Sequence, residues 1–425
     1  MEMEKSNSNA RTIQWSTILA IFEKFSEIVI NFVFSMVVIR VLTIKDYAVI
    51  TSFAGYMTFV SFINISPEVI LYKSYSQIKK EQISEKITVY LFFDLLKALL
   101  ISVVYICIGY TLSNKFCSYS YFFIAVMNGV ILFAEQFYCI GRILLELNSK
   151  QFKLTIITLI ARISRLLLIF LLLLKNDIQI YCLIMAMVAT VEDGIVFCLA
   201  IRETKYFFSL NLRRSIKELK NIFFDFVFLN HISGVLNSII YASDTMFLSW
   251  FCKEAVVGRY GIVLGAINYV TVLFQVIQKQ VSIALGKSSS LEENVKSTEK
   301  FCSLCLIIAI PIVFIFGVFG KFLLKIYSGD SFSDEMYWYG LFILLGTSTF
   351  NIVRPMLMFI LYKGNLLKYL LKVLLPVFVL TLSLYFFSSK YIGGIGIAFC
   401  NIIIYACWSF LTIIMYRNIR MIIPS

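Results

Sequence analysis

The chain has 425 residues, of which 60% are hydrophobic, 16% aromatic and only 15% charged, and its formal net charge is +13. Apolar surface on that scale exceeds what a soluble fold of ordinary composition can bury, so a polytopic membrane protein is expected, with little chain left for a soluble domain. The Lys and Arg residues fall in short loops between apolar segments, which argues against nucleic acid as a partner and fits the cytoplasmic excess of basic residues in membrane proteins.

Hydropathy predicts twelve spans. Six lie at roughly 13–42, 48–73, 87–112, 120–148, 152–174 and 178–201, and six at 221–251, 257–283, 301–326, 336–362, 365–387 and 392–416. Pro67, Pro311, Pro355 and Pro376 fall inside four of them and are candidate kinks, because proline removes a backbone donor. The polar stretch MEMEKSNSNARTIQW lacks a small-residue cleavage site, so it is expected to be retained.

The segment Arg202 to Lys220 holds six basic residues against two acidic ones and separates the two sets of spans. The chain thus divides into an N-terminal bundle (1–201), a basic linker (202–220) and a C-terminal bundle (221–425). Alternate loops differ sharply in charge: one side carries 21 Lys and Arg residues, the linker's six included, and the other carries Lys45, Lys115, Lys175, Lys253 and Lys390. Both termini and the linker are therefore expected in the cytoplasm. Two six-span halves that both begin inside would be related by a pseudo-two-fold along the membrane normal.

Cysteine chemistry offers little. Ten cysteines are scattered mainly through apolar runs, with one close pair, Cys302 and Cys305, and the chain has a single histidine. That ligand set does not suit zinc, and no metal or organic cofactor is expected.

Ionisable residues inside spans are the informative positions, since a charge at bilayer depth is costly unless it meets a partner or a wet cavity. Those singled out, in chain order, are Glu23, Lys24, Glu27, Asp94, Lys97, Glu135, Arg162, Arg165, Glu192, Asp193, Asp225, His231, Asp244 and Arg354. Lys24 with Glu27 and Asp94 with Lys97 have the i, i+3 spacing of pairs that neutralise locally. Arg162 and Arg165 place two like charges on one helix face. Neighbouring carboxylates such as Glu135 and Glu192 answer them permanently, or the phosphates of a ligand do so transiently. Lys24 and Arg354 are further candidates for an anionic substrate. His231 is either a satisfied polar residue or part of a proton relay with Asp225 or Asp244. Among the first-half members of this list six acids outnumber four bases, so coupling to H+ or Na+ is an expectation.

Several motifs carry a family resemblance. RVLTIKDYAVI resembles the Arg-x-Leu-Gly-x-x-(Asp/Glu)-(Tyr/Phe)-Gly signature after the first helix of bacterial polysaccharide and O-antigen flippases, members of the multidrug/oligosaccharidyl-lipid/polysaccharide exporter superfamily. Arg40, Leu42, Asp46 and Tyr47 match, while Thr43 and Ala48 stand at the glycine positions. ASDTMFLSWFCKEAVVGRYGIVLGA resembles the family's seventh-span Asp and Val-Gly-x-Tyr entry through Asp244, Val257, Gly258 and Tyr260. KIYSGDSFSDEMYWYGLFILL is similar to the junction before the tenth span. YIGGIGIAFCNII is similar to the entry of the twelfth, through Gly393, Gly396 and Ala398.

The resemblance implies a transporter, not an enzyme, of the bacterial inner membrane. Its substrate would be an undecaprenyl-diphosphate-linked oligosaccharide for lipopolysaccharide or a similar surface polysaccharide, flipped by alternating access among membrane lipids and other polysaccharide-assembly proteins. The same superfamily also allows a cation-coupled drug antiporter. A multispan polymerase or glycosyltransferase is the third alternative, although no sizeable extramembrane loop with catalytic residues is apparent.

Overall fold

The computed structural model describes residues 22, 25–65, 80–148, 150–205, 228–287, 291–362 and 366–421. Every regular element among them is helical. Among the described residues ten helices are long and apolar enough to cross a membrane. Residues 25–41 and Phe228–Phe251 add helices at the positions of the first and seventh predicted spans. The protein is an all-helical, multi-pass membrane protein.

The helices are α1 (residues 25–41), α2 (Ile44–Ile63), α3 (Lys80–Phe116), α4 (Tyr119–Leu147), α5 (Gln151–Leu168), α6 (Leu171–Leu174) and α7 (Ile178–Thr204). There follow α8 (Phe228–Phe251), α9 (Glu254–Lys287), α10 (Leu291–Ser328), α11 (Asp334–Tyr362), α12 (Leu366–Tyr369), α13 (Leu375–Tyr391) and α14 (Gly394–Met421). A π-helical turn, Leu370–Leu374, joins α12 to α13. Its cause is next to it in the sequence. Pro376 has no N–H for the Lys372 carbonyl, and the hydrogen-bond register is shifted so that the Leu375 N–H bonds Leu370 O. Pro311 and Pro355 lie within the unbroken helices α10 and α11. Pro67 lies outside the described residues.

Packing groups the chain into two compact units. The first holds the described residues of Met1–Leu42 and Phe62–Phe228, and the second those of Thr43–Ser61 and Leu229–Ser425. Most of α2 therefore packs with the C-terminal helices, although it precedes the basic linker by well over a hundred residues. A Cβ on Gly258 of α9 would stand 2.4 Å from the Ile44 carbonyl oxygen, so only glycine permits that approach. The linker beyond Lys205 lies outside the described residues.

The start of α2 is a capping box. Thr43 Oγ1 donates to Asp46 Oδ2 at 2.6 Å, the Asp46 N–H donates to Thr43 Oγ1 at 3.2 Å, and the Thr43 N–H reaches Asp46 Oδ2 at 3.3 Å. Two donors that the helix leaves open are thus satisfied reciprocally. Asp177 caps α7 in the simpler way, accepting from the Gln179 N–H at 2.9 Å. At the other end of the chain Gly393, with φ +83°, makes the left-handed turn between α13 and α14.

A buried apolar cluster ties four helices of the first unit. Ile87 and Tyr90 come from α3, Ile140, Ile143, Leu144 and Leu145 from α4, Leu154 from α5, and Val196 and Ala200 from α7. In the second unit the core is aromatic. Phe350 of α11 stacks on Trp408 of α14 at 4.0 Å between centroids, and Trp408 Nε1 donates to Tyr369 Oη at 2.6 Å, giving the indole its polar partner.

Candidate functional site

A cavity of about 510 Å³ lies within the first unit between α4, α5 and α7. Helical periodicity builds it. Glu135, Tyr138, Cys139 and Arg142 recur on one face of α4, Ala161, Arg162 and Arg165 on one face of α5, and Met185, Val188, Glu192, Asp193 and Val196 on one face of α7. Ile143 and Val196 belong both to the cavity wall and to the apolar cluster, so the wall rests on a packed core. Five of the residues nominated from sequence meet here: Glu135, Arg162, Arg165, Glu192 and Asp193.

The arginines of α5 are held by α1. Arg162 donates to Glu27 Oε2 at 3.1 Å, and Arg165 donates to Asn31 Oδ1 while its guanidinium lies 5.1 Å from the Phe34 ring centroid. Glu27, Asn31 and Phe34 are spaced i, i+4, i+7, so one stripe of α1 receives both guanidinium groups. Glu27 thus supplies a carboxylate to Arg162 at 3.1 Å, whereas Glu192 pairs with Arg142 at 3.5 Å. Lys24, the expected local partner of Glu27, and Glu23 lie outside the described residues.

Arg142, Asn31 and Phe34 were not among the residues expected to matter. Arg142 sits near the end of α4, where hydropathy does not separate buried from interfacial arginine. Asn31 and Phe34 carry no charge. Their α-helical spacing from Glu27 is the signal that was available.

Asp94 and Lys97 form the i, i+3 pair that their spacing predicts, at 2.9 Å, with side chains 0% and 2% exposed. Cys139, on the cavity wall, donates from Sγ to Asp94 Oδ2 at 3.5 Å. The pair therefore lies behind the wall instead of on it, neutralised on its own helix face.

Asp244 belongs to the second unit. Tyr260 Oη donates to Asp244 Oδ2 at 2.6 Å, the Thr245 N–H donates to Oδ1 at 2.7 Å, Asn401 Nδ2 donates to Tyr260 Oη at 3.1 Å, and Tyr385 Oη donates to Asn401 Oδ1 at 2.7 Å. This chain of bonds links α8, α9, α13 and α14 through side chains that are almost fully buried. His231 is half-buried on α8, and Arg354 is half-buried on α11 within electrostatic reach of Tyr241 and Tyr405. Asp225 lies outside the described residues. Among the described residues no group of three or more His, Cys, Asp and Glu side chains could hold a metal ion.

No family model matches the sequence, and no curated protein matches it. Solved structures match in fold. An inward-facing multidrug resistance MATE family transporter of the MOP superfamily gives a TM-score of 0.66 at 12% identity, over 92% of this chain and 95% of that one. The lipid II flippase MurJ in an inward closed conformation gives 0.73 at 13% identity, over 95% and 87%. A MOP superfamily transporter from Pyrococcus furiosus gives 0.59 at 13% identity, over 96% of both chains. The fold is that of MOP superfamily transporters.

Proposed function

We propose that this protein moves a polyprenyl-diphosphate-linked oligosaccharide across the bacterial inner membrane by alternating access, as a step in making a surface polysaccharide. One observation carries the reading: Arg142, Arg162 and Arg165 converge on a single cavity inside a helix bundle. Guanidinium groups present paired N–H donors that match phosphate oxygens, and such charges at bilayer depth are costly unless they meet a partner or a wet cavity. The remaining wall mixes Tyr138 and carboxylates, which suit sugar hydroxyls, with aliphatic side chains. The fold shared with a lipid II flippase agrees with a lipid-linked substrate. The motif resemblances favour a polysaccharide repeat unit, and the distribution of basic residues favours cytoplasmic termini.

A second reading, export of cationic drugs in exchange for a cation, draws on Glu135, Glu192 and Asp193 on the same wall. The two separate in one experiment. Deleting the gene should trap lipid-linked repeat units on the cytoplasmic leaflet and abolish surface polysaccharide. Normal surface polysaccharide with heightened sensitivity to cationic drugs would favour the second reading.

A further inference from the structure

The three arginines of the cavity are held differently. Arg162 and Arg165 are fixed from α1, through Glu27 and through Asn31 with Phe34. Arg142 meets Glu192 at 3.5 Å, well beyond the roughly 2.7–2.9 Å of a charge-assisted hydrogen bond, and its side chain is 43% exposed. Both members of this loose pair line the cavity. A phosphate entering the cavity therefore competes with Glu192 for Arg142.

The charges that face Glu192 set the consequence of that competition. Among the described residues they are Arg142 and Glu135 from α4, Arg162 and Arg165 from α5, and Asp193 on its own helix, while Glu27 of α1 is engaged with Arg162. If Arg142 turns to a diphosphate that Arg162 and Arg165 also face, Glu192 is left beside Glu135 and Asp193. Three carboxylates crowded around one cavity, with a diphosphate added, favour uptake of a cation.

We propose that Arg142 and Glu192 form an exchangeable ion pair that couples diphosphate binding to uptake of one monovalent cation. Arg142 leaves Glu192 for the ligand's phosphate, and a proton or Na+ takes its place among Glu192, Glu135 and Asp193. The proposal rests on the reading of the cavity as a diphosphate site. Linkage requires that the cation tighten ligand binding by the same factor that the ligand tightens cation binding.

The test uses the full-length protein in nanodiscs and a short-chain isoprenyl diphosphate as probe, titrated at pH 8 without Na+, at pH 8 with Na+, and at pH 6. Wild type should bind about tenfold more tightly when the effective cation is supplied, and the two arms identify that cation. Glu192→Gln should bind tightly already at pH 8 without Na+ and change by no more than about twofold across the conditions. Arg142→Gln should bind more weakly in all three. Ionisation of the probe is common to every variant, so the difference between variants isolates the protein. Should Glu192→Gln not fold, the double variant Arg142→Gln/Glu192→Gln, which removes both charges, should lack the cation response. A cation response in Glu192→Gln or in the double variant equal to wild type overturns the exchange. Absence of probe binding by wild type under every condition overturns the diphosphate reading beneath it.

Discussion

Arg162 of α5 and Glu27 of α1 meet at 3.1 Å on side chains that are 12% and 29% exposed, joining two helices of the first unit at the edge of its cavity. Both charges are largely shielded from solvent, so removing one partner takes a short ion pair away from the other. Arg162→Ala should destabilise the protein by about 1–3 kcal/mol, less than for a fully dry pair, read as a lower melting temperature in detergent. Adding Glu27→Gln should recover most of that stability. Export of polysaccharide should stay lost in the double variant if Arg162 also binds substrate, whereas recovered export would make the pair scaffolding.

In the second unit the comparable bond runs from Tyr260 to Asp244. Tyr260→Phe removes one donor from a buried carboxylate and should cost about 1–3 kcal/mol. Asp244→Asn leaves Tyr260 Oη an acceptor in its place, so the double variant should cost less than the sum of the singles. Strict additivity of the melting-temperature shifts would show that the hydrogen bond contributes nothing.

Gly258→Ala tests the packing of α2 against α9. The added methyl would lie 2.4 Å from the Ile44 carbonyl oxygen, a backbone atom that cannot rotate away. A loss of about 1–3 kcal/mol is expected, measured by thermal unfolding. A variant as stable as wild type would mean that the two helices do not pack this closely.

Reporter fusions check the topology read from loop charge. Fusions at Lys80, Ser209 and Lys296 should report the cytoplasm, and those at Lys115, Lys253 and Ser331 the opposite side. An external signal at Ser209 would require an odd number of spans before the linker.

The helices were legible because apolar runs of this length admit few alternatives, but their ends were not. Helix α10 begins at Leu291, not near residue 301, because LEENVKSTEK is polar and hydropathy cannot see a helix that outlasts its apolar stretch. The predicted span at 152–174 is interrupted between Leu168 and Leu171, where no sequence signal as strong as proline stands. At the site, charge alone found Arg162, Arg165, Glu135, Glu192 and Asp193, because isolated charges stand out in apolar sequence. It could not find Asn31, Tyr260, Tyr385 or Asn401, whose neutral polar groups matter only through the partners that folding brings to them. Nor could it show that the conspicuous Asp46 serves as half of a capping box.

Reconstituted transport tests the central claim most directly. Proteoliposomes holding the full-length protein and a fluorescent polyprenyl-diphosphate-linked sugar would be treated with a membrane-impermeant quencher, so that label moved between leaflets changes the signal. Wild-type protein should equilibrate the label, and Arg162→Ala/Arg165→Ala, compared at matched folded amount, should slow it by at least about a hundredfold, the loss expected when two charge-assisted phosphate contacts of roughly 1.5–3 kcal/mol each are removed. Transport by that variant at the wild-type rate would contradict the account.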